Sequence, residues 1–165
     1  MKKIFYLACM CVIVMNACTT KTETVKPDLA AAKQELNSEM DKLIQGFNNR
    51  DTATFFAFLA EDGLFCGTDP TEILDRKRHT AAMITMFADT SMFSKIIVDK
   101  REIRMDSTAN SAIVLEQFCF EFSKKLPFRQ VYHMQKINGK WICDFSSMAL
   151  TPYNKDFMAI FSAIP

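Results

Sequence analysis

Two residues that flank an Asn-Gly dipeptide are of the types used in acid–base catalysis. Asn138-Gly139 lies between two runs rich in β-branched and aromatic residues, and this pattern predicts a two-residue hairpin turn. With these residues as the loop, His133 pairs with Asp144, at a Cβ separation of about 5 Å. A carboxylate beside an imidazole fixes the ring tautomer and raises its basicity, as a general base requires. The alternative is a solvated ion pair on the outer face of the sheet.

Three further carboxylates are candidates for a site. Glu116 shares strand parity with Val114 and Phe118 and is expected to point inward, where burial raises a carboxyl pKa. Exposure at an edge or a bulge is the alternative. Asp69 and Glu72 follow a short apolar run and could bind a ligand hydroxyl or remove a proton. The alternative is that they are an ordinary turn residue and a first-turn acid.

Aromatic residues of the hairpin are the candidates for a ligand-contacting wall. Tyr132 and Trp141 share one predicted face with Met134 and Phe145, as core or as the lining of a pocket. His79 lies on a predicted helix and is interpreted as a half-buried structural residue. The chain has no serine nucleophile motif, glycine-rich phosphate loop or metal-ligand spacing, so we expect no metal and no cofactor.

Cys18 ends a short apolar segment that follows two lysines. The segment is shorter than the roughly 20 apolar residues that span a bilayer and has the layout of a secretory signal. With cysteine at the cut point, it resembles a bacterial lipoprotein signal. The resemblance implies a signal peptide over 1–17, lipidation of Cys18 and a tether over 18–28. It also implies a location in the cell envelope, at the outer membrane, on either its periplasmic face or its outer surface. An ordinary secreted protein with a chance cysteine is the alternative.

Composition limits the partners of the remaining chain. The 165 residues carry a net charge of +1 and no basic run, which argues against binding to nucleic acid or to a membrane surface by charge. The chain contains 15 Phe and 11 Met, an apolar stock that fits irregular cavities. Three cysteines follow residue 18, allow at most one disulfide, and are interpreted as buried thiols: Cys66, Cys119 and Cys143.

Hydrophobic periodicity divides the domain into a helical first half and a stranded second half. Helical spacing begins at Leu29, and further helices are predicted before Asp62 and after Asp75. A short strand is expected over 64–66, and four longer strands over 95–105, 111–123, 128–137 and 140–149. The predicted fold is α+β over 29–150, with three N-terminal helices against a curved antiparallel sheet. Residues 151–165 are predicted to form an amphipathic C-terminal helix that starts at Thr151-Pro152 and docks on the domain. The alternative is that its apolar face contacts a second copy of the chain in a dimer.

This order of elements resembles the SnoaL-like branch of the nuclear transport factor 2-like superfamily over about residues 29 to 150, and the resemblance implies a cone-shaped roll. The run 65–72 (Phe-Cys-Gly-Thr-Asp-Pro-Thr-Glu) is similar to the Gly-Thr-Asp segment of that branch, and 138–142 (Asn-Gly-Lys-Trp-Ile) to its final hairpin. Many relatives carry histidine near the end of the last strand, where this chain has Phe145-Ser146-Ser147. The scaffold hosts enzymes and binders alike, so the resemblance does not fix the function.

Three functions remain open. The favoured hypothesis is a non-catalytic pocket that binds a small apolar or amphipathic molecule. The second is a cofactor-independent isomerase or dehydratase resembling ketosteroid isomerase, which needs an inward carboxylate opposed by Tyr132 or His133. The third is an interaction module that forms a homodimer through its sheet without a ligand. The directions of three side chains separate these hypotheses: if Glu116, Asp69 and His133 converge on one cavity, an enzyme is favoured, and if all three point outward, the interaction module is favoured.

Overall fold

The computed structural model describes residues 26–91 and 93–163, so the predicted signal, Cys18 and most of the tether lie outside the described residues. The α+β class is confirmed. The elements are helices α1 (Leu29–Asn48), α2 (Thr52–Phe56), α3 (Arg76–Ala88) and α4 (Phe157–Ala163), and strands β1 (Leu59–Cys66), β2 (Ile73–Asp75), β3 (Ile96–Met105), β4 (Ser111–Phe120), β5 (Pro127–Ile137) and β6 (Lys140–Leu150).

Aspartate side chains cap the first three helices. Asp28 Oδ1 accepts hydrogen bonds from the backbone N–H groups of Ala30 and Ala31, at 2.9 and 3.0 Å. Asp51 caps α2 and Asp75 caps α3 in the same manner. These bonds satisfy N–H groups that have no partner inside the helix, so they fix where each helix begins. The predicted starts of α1 and α3 are therefore correct.

The six strands form one curved sheet in the order β2-β1-β6-β5-β4-β3. Strand β1 runs parallel to β6, whereas every other neighbouring pair is antiparallel. The sheet is therefore mixed and not purely antiparallel as predicted. The first part of β1 and the whole of β2 were not predicted. Strand β1 begins at Leu59, where the sequence pattern predicts helix, and β2 has only three residues, too few for a detectable pattern.

The predicted register of the hairpin is correct near its turn and wrong beyond it. Ile137 pairs with Lys140 as expected, and the pairing stays in step as far as Met134 with Cys143. A bulge then shifts the register, so His133 pairs with Phe145 and not with Asp144. A bulge places two residues of one strand opposite one residue of the other. Phe145 consequently lies on the outer face, half-exposed, and not beside Tyr132 and Trp141.

The helices cover one face of the sheet through two clusters of apolar side chains. One cluster joins Leu36, Met40 and Leu43 of α1 to the middle of β4, β5 and β6. The other joins Phe47, Met83 and Phe87 to Ile96 and Phe118 near one end of the sheet. Leu36 and Met40 are fully buried, which confirms the apolar stripe predicted for α1.

The C-terminal helix differs from its prediction in position and packing. It begins at Phe157 after a 3₁₀ turn over Asn154–Asp156, and not at Thr151. Thr151 instead donates its backbone N–H and its hydroxyl to the Pro127 carbonyl. No residue described in α4 is buried, and Phe161 is 64% exposed. The expectation that this helix docks on the domain is therefore wrong for the isolated chain.

Candidate functional site

A cavity of about 280 Å³ lies between the helices and the covered face of the sheet. Its wall is mainly apolar, with contributions from α1, α3 and the sheet, and a few polar side chains reach it. Ligand sites typically have this composition, and the volume is at the lower end of their range of about 300–1,000 Å³. The polar lining residues include Glu72, His79, Gln130, Tyr132 and Ser146.

Glu72 enters the cavity wall from the loop between β1 and β2. Its Oε2 accepts a hydrogen bond from the Asp69 backbone N–H at 3.1 Å, which holds the side chain across the loop. A Cβ at position 67 would lie 2.0 Å from the same oxygen, so Gly67 gives this carboxylate its space. Oε1 of Glu72 has no hydrogen-bond partner among residues 26–91 and 93–163.

Asp69, the other predicted carboxylate of this loop, has a different task. Its Oδ1 accepts from the Thr71 hydroxyl at 2.5 Å and from the Thr71 backbone N–H at 2.8 Å. These two bonds hold the pKa of Asp69 below its ordinary value, and the bond from the Thr71 hydroxyl has the larger effect. The side chain is exposed and does not line the cavity. Asp69 therefore stabilises the turn, which is the alternative of an ordinary turn residue.

His79 lies on α3 and lines the cavity beside Glu72. Its ring stacks on Phe65, with centroids 4.7 Å apart and planes at 22°. Burial lowers the pKa of His79 to about 4, although the Glu72 carboxylate acts in the opposite direction. The imidazole is therefore neutral at pH 7 and offers one donor and one acceptor. It makes no hydrogen bond within the part of the chain that the structure describes.

Tyr132, Gln130 and Ser146 supply the polar part of the sheet wall. The Tyr132 hydroxyl lies 3.0 Å from Gln130 Oε1 and 3.3 Å from Glu116 Oε2, so two acceptors compete for its one proton. Burial raises the pKa of Tyr132 well above its ordinary value. Ser146 is 5% exposed, pairs directly with Tyr132 across the hairpin, and makes no side-chain hydrogen bond among the described residues.

Glu116 points inward as predicted, but its charge is already paired. Its Oε1 accepts a bond of 2.6 Å from Arg101 Nε, and Arg101 Nη1 also donates to Asp41 at 2.7 Å and to the Asn37 carbonyl at 2.9 Å. Burial raises the pKa of Glu116, and Arg101 acts against that rise. Glu116 does not line the cavity, so its contacts fit a structural ion pair better than a catalytic base.

His133 and Asp144 are in contact although they are not register partners, and they lie on the face of the sheet away from the cavity. Asp144 follows the buried Cys143 and His133 precedes the buried Met134, so alternation places both on the outer face, where Asp144 Oδ1 lies 2.6 Å from His133 Nδ1. His133 Nε2 lies 2.9 Å from the Ser111 hydroxyl, and Gln135 Nε2 donates to the other Asp144 oxygen. This chain of bonds contains the residue types of a hydrolase triad. None of these four residues lines the cavity, which fits the alternative of a polar network on the outer face.

Trp141 is part of the core, the first of the two alternatives predicted for it, and two of the three described cysteines are less buried than predicted. Trp141 is buried and does not line the cavity; its Nε1 has no hydrogen-bond partner among the described residues. All three thiols are free, but only Cys143 is fully buried, whereas Cys66 and Cys119 are half-buried. Burial raises the pKa of Cys143 to about 12, so its thiol stays protonated.

Of the residues predicted to contact a ligand, Glu72 and Tyr132 line the cavity, but sequence reasoning missed three other polar groups of its wall. Ser146 was noted only as part of a departure from the family pattern, and its inward direction depends on the bulge. Gln130 lies two residues before Tyr132 and therefore shares its face, which is a signal that strand parity contains. His79 carried a usable signal in its alignment with Met83 and Met86 on one helix face.

The described residues offer no metal centre and no membrane-crossing helix. Over 26–91 and 93–163, no group of three or more His, Cys, Asp or Glu side chains is placed to hold a metal ion. None of the helices in that part of the chain is both long and apolar enough to cross a membrane.

The chain belongs to the SnoaL-like domain family, whose model matches residues 36–144. The described structure is also similar to solved bacterial proteins with an NTF2-like (nuclear transport factor 2-like) or cystatin-like fold. An NTF2-like protein of unknown function from Pseudomonas putida matches with a TM-score of 0.62 and 13% identity, over 78% of this chain and 92% of its own.

Two further structures support the same fold. An NTF2-like protein from Cytophaga hutchinsonii has a TM-score of 0.58 and 16% identity, over 72% of this chain and 98% of its own. An uncharacterized protein with a cystatin-like fold from Caulobacter vibrioides has a TM-score of 0.65 and 10% identity, over 78% and 95%. No curated protein matches the chain. At these identities the similarity shows the fold alone.

Proposed function

We propose that this chain is a lipid-anchored protein of the bacterial envelope whose SnoaL-like domain binds a small amphipathic molecule without transforming it. The observation that carries the proposal is the cavity of about 280 Å³ with its apolar wall and few polar groups. An apolar body would lose its contact with water there, which is the main favourable term in such binding.

The residues predicted to be catalytic do not line the cavity, which favours binding over catalysis by them. Glu116 forms an ion pair with Arg101, and His133 and Asp144 lie on the opposite face of the sheet. Glu72 is the one carboxylate that reaches the cavity among the described residues, and Tyr132 lines the same cavity. An isomerase that uses Glu72 and Tyr132 is therefore the second candidate function.

Two adjacent alanines of α3 provide a matched test of the cavity. Ala82 lines the cavity and is exposed at its rim, whereas its exposed neighbour Ala81 does not line it. Ala82→Trp should fill the opening at little cost to folding, and Ala81→Trp should leave it free. Organic extracts of each purified protein are compared by mass spectrometry. A compound found with the wild type and Ala81→Trp, and lost with Ala82→Trp, supports the proposal; identical extracts from all three proteins contradict it.

The anchor is tested separately, because it rests on the N-terminal sequence. Several acyl chains on Cys18 would hold the protein firmly, since each buried methylene contributes about 0.8 kcal/mol. Cys18→Ser should move the protein from the membrane fraction to the soluble fraction, whereas Cys11→Ser, inside the predicted signal, should not. Equal membrane retention of both variants means that the anchor lies elsewhere.

A further inference from the structure

The polar groups of the cavity gather at one end. Ser146 is the register partner of both Tyr132 on β5 and Phe65 on β1, so it lies between them on the covered face. The His79 ring stacks on Phe65, and the Glu72 carboxylate lies over Gly67, the first residue after β1. The rest of the wall is apolar and belongs largely to the second cluster, with Phe47, Met83, Met86, Ile96 and Phe120.

The charge of this wall has one sign. Glu72 is its one carboxylate, and no lysine, arginine or aspartate lines the cavity within the described ranges. The imidazole of His79 is neutral near pH 7 because burial lowers its pKa to about 4. An anionic group in this space would meet an uncompensated negative charge, whose effect is stronger where water is displaced.

The unused hydrogen-bonding capacity at this end contains more acceptor sites than donors, the donors without a partner among the described residues being the N–H of His79 and the O–H of Ser146. Glu72 Oε1, the unprotonated nitrogen of His79 and the Ser146 hydroxyl oxygen have no partner among residues 26–91 and 93–163. A primary ammonium group has three donors and no acceptor, which matches this set in number and in charge. The aromatic faces of Phe65 and Tyr132 in the same wall also favour a cation.

We propose that the ligand is a small amphipathic amine, with its ammonium group at the Glu72–His79–Ser146 end and its apolar body against Phe47, Met86 and Phe120. This inference rests on the proposed function, since it names the chemical class of the molecule that the cavity holds. The ammonium group donates to Glu72 and Ser146, and the apolar body covers the wall formed by α1 and α3.

Three probes of one shape and different charge test this inference by isothermal titration calorimetry at pH 7. They are phenethylammonium, 2-phenylethanol and phenylacetate, each titrated into the full chain in one fixed mild detergent buffer. The amine should bind the wild type at least about tenfold more tightly than phenylacetate, because only the anion opposes Glu72. This comparison does not depend on the folding of any variant.

Glu72→Gln then identifies the source of the preference. The amide oxygen can still accept the Asp69 N–H, so the loop should keep its shape while the charge is lost. Affinity for the amine should fall roughly tenfold and affinity for the alcohol should change less than about twofold. Glu102→Gln is the matched control, because Glu102 is exposed, pairs with Lys100 and does not line the cavity; it should change neither affinity.

The outcomes separate this inference from the proposed function. A wild type that binds the alcohol or phenylacetate as tightly as the amine overturns the amine inference and leaves a ligand pocket in place. An amine preference that persists in Glu72→Gln also overturns it. Failure of all three probes to bind, together with identical extracts from the Ala82→Trp and wild-type proteins, overturns the proposed function itself.

Discussion

The buried pair of Arg101 and Glu116 predicts a large and asymmetric response to mutation. Glu116 is fully buried, Arg101 has a side chain 10% exposed, and their charged atoms lie 2.6 Å apart. Arg101→Met preserves much of the apolar stem but leaves a carboxylate buried without its cation. Breaking a buried pair in this way costs about 3–5 kcal/mol. In a chain of this size, that loss corresponds to a fall in Tm of roughly 6–20 °C.

Glu116→Gln should be much milder, at about 1 kcal/mol, because Arg101 keeps Asp41 and the Asn37 carbonyl as partners. The double variant should be more stable than Arg101→Met alone, since it removes the unpaired charge. Urea unfolding followed by circular dichroism measures all three free energies of unfolding. Lys100→Met is the control, because its pair with Glu102 is more than half exposed and contributes about 0–1 kcal/mol.

The pH dependence of this loss follows from the pKa of Glu116, which burial raises above its ordinary value of 4.5. A carboxyl with a raised folded-state pKa stabilises the fold below its unfolded value and loses that contribution as the pH rises through the folded value. The cost of Arg101→Met should therefore be smallest near pH 4 and grow toward pH 7. A cost equal to that of Glu116→Gln, or one that does not vary with pH, would refute this account of the pair.

Three further predictions concern the cavity and the C-terminus. His79→Phe keeps an aromatic ring against Phe65 but removes the titrating group. Because the pKa of His79 is lowered from 6.5 to about 4, the wild type should lose more stability than this variant as the pH falls from 6.5 to 4. Urea unfolding measures both free energies, and an equal loss in the two proteins would contradict this prediction. Gly67→Ala places a Cβ 2.0 Å from Glu72 Oε2 and should displace that carboxylate, lowering phenethylammonium affinity as Glu72→Gln does in the same titration; unchanged affinity would show that Glu72 is not the cause. Deletion of residues 153–165 should shift the Tm of the monomer by less than about 2 °C, because no residue described in α4 is buried, and a larger loss would show that the segment does pack on the domain.

The local elements could be predicted because their signals lie within a few residues. Asp28 and the stripe from Ala32 to Phe47 define α1, and the predicted and observed helices nearly coincide. Asn138 and Gly139 both adopt positive φ, at 51° and 78°, as a two-residue turn of this type requires. Such positions are constrained by their own side chains or by the absence of one.

The site could be predicted only in part, because it depends on contacts between distant segments. Strand parity correctly directed Glu116 inward, but its partner Arg101 was not identified, since the loop between Met105 and Ser111 is longer than a two-residue turn and does not fix the register of β3 on β4 from the sequence. No motif marks Ser146 as a cavity residue, because its direction follows from the bulge in β6. The parallel pairing of β1 with β6 joins segments about 80 residues apart and has no local signature.

The bulge at Asp144 makes β6 a strand with two phases. Before it, Trp141 and Cys143 face the helices; after it, Ser146 and Met148 do, so the alternation is reset by one residue within a single strand. Without the bulge, simple alternation along β6 would turn Phe145 and Ser147 toward the helices in place of Ser146 and Met148. The chemistry of this cavity wall therefore depends on one extra residue in β6 as much as on the residue types of the strand.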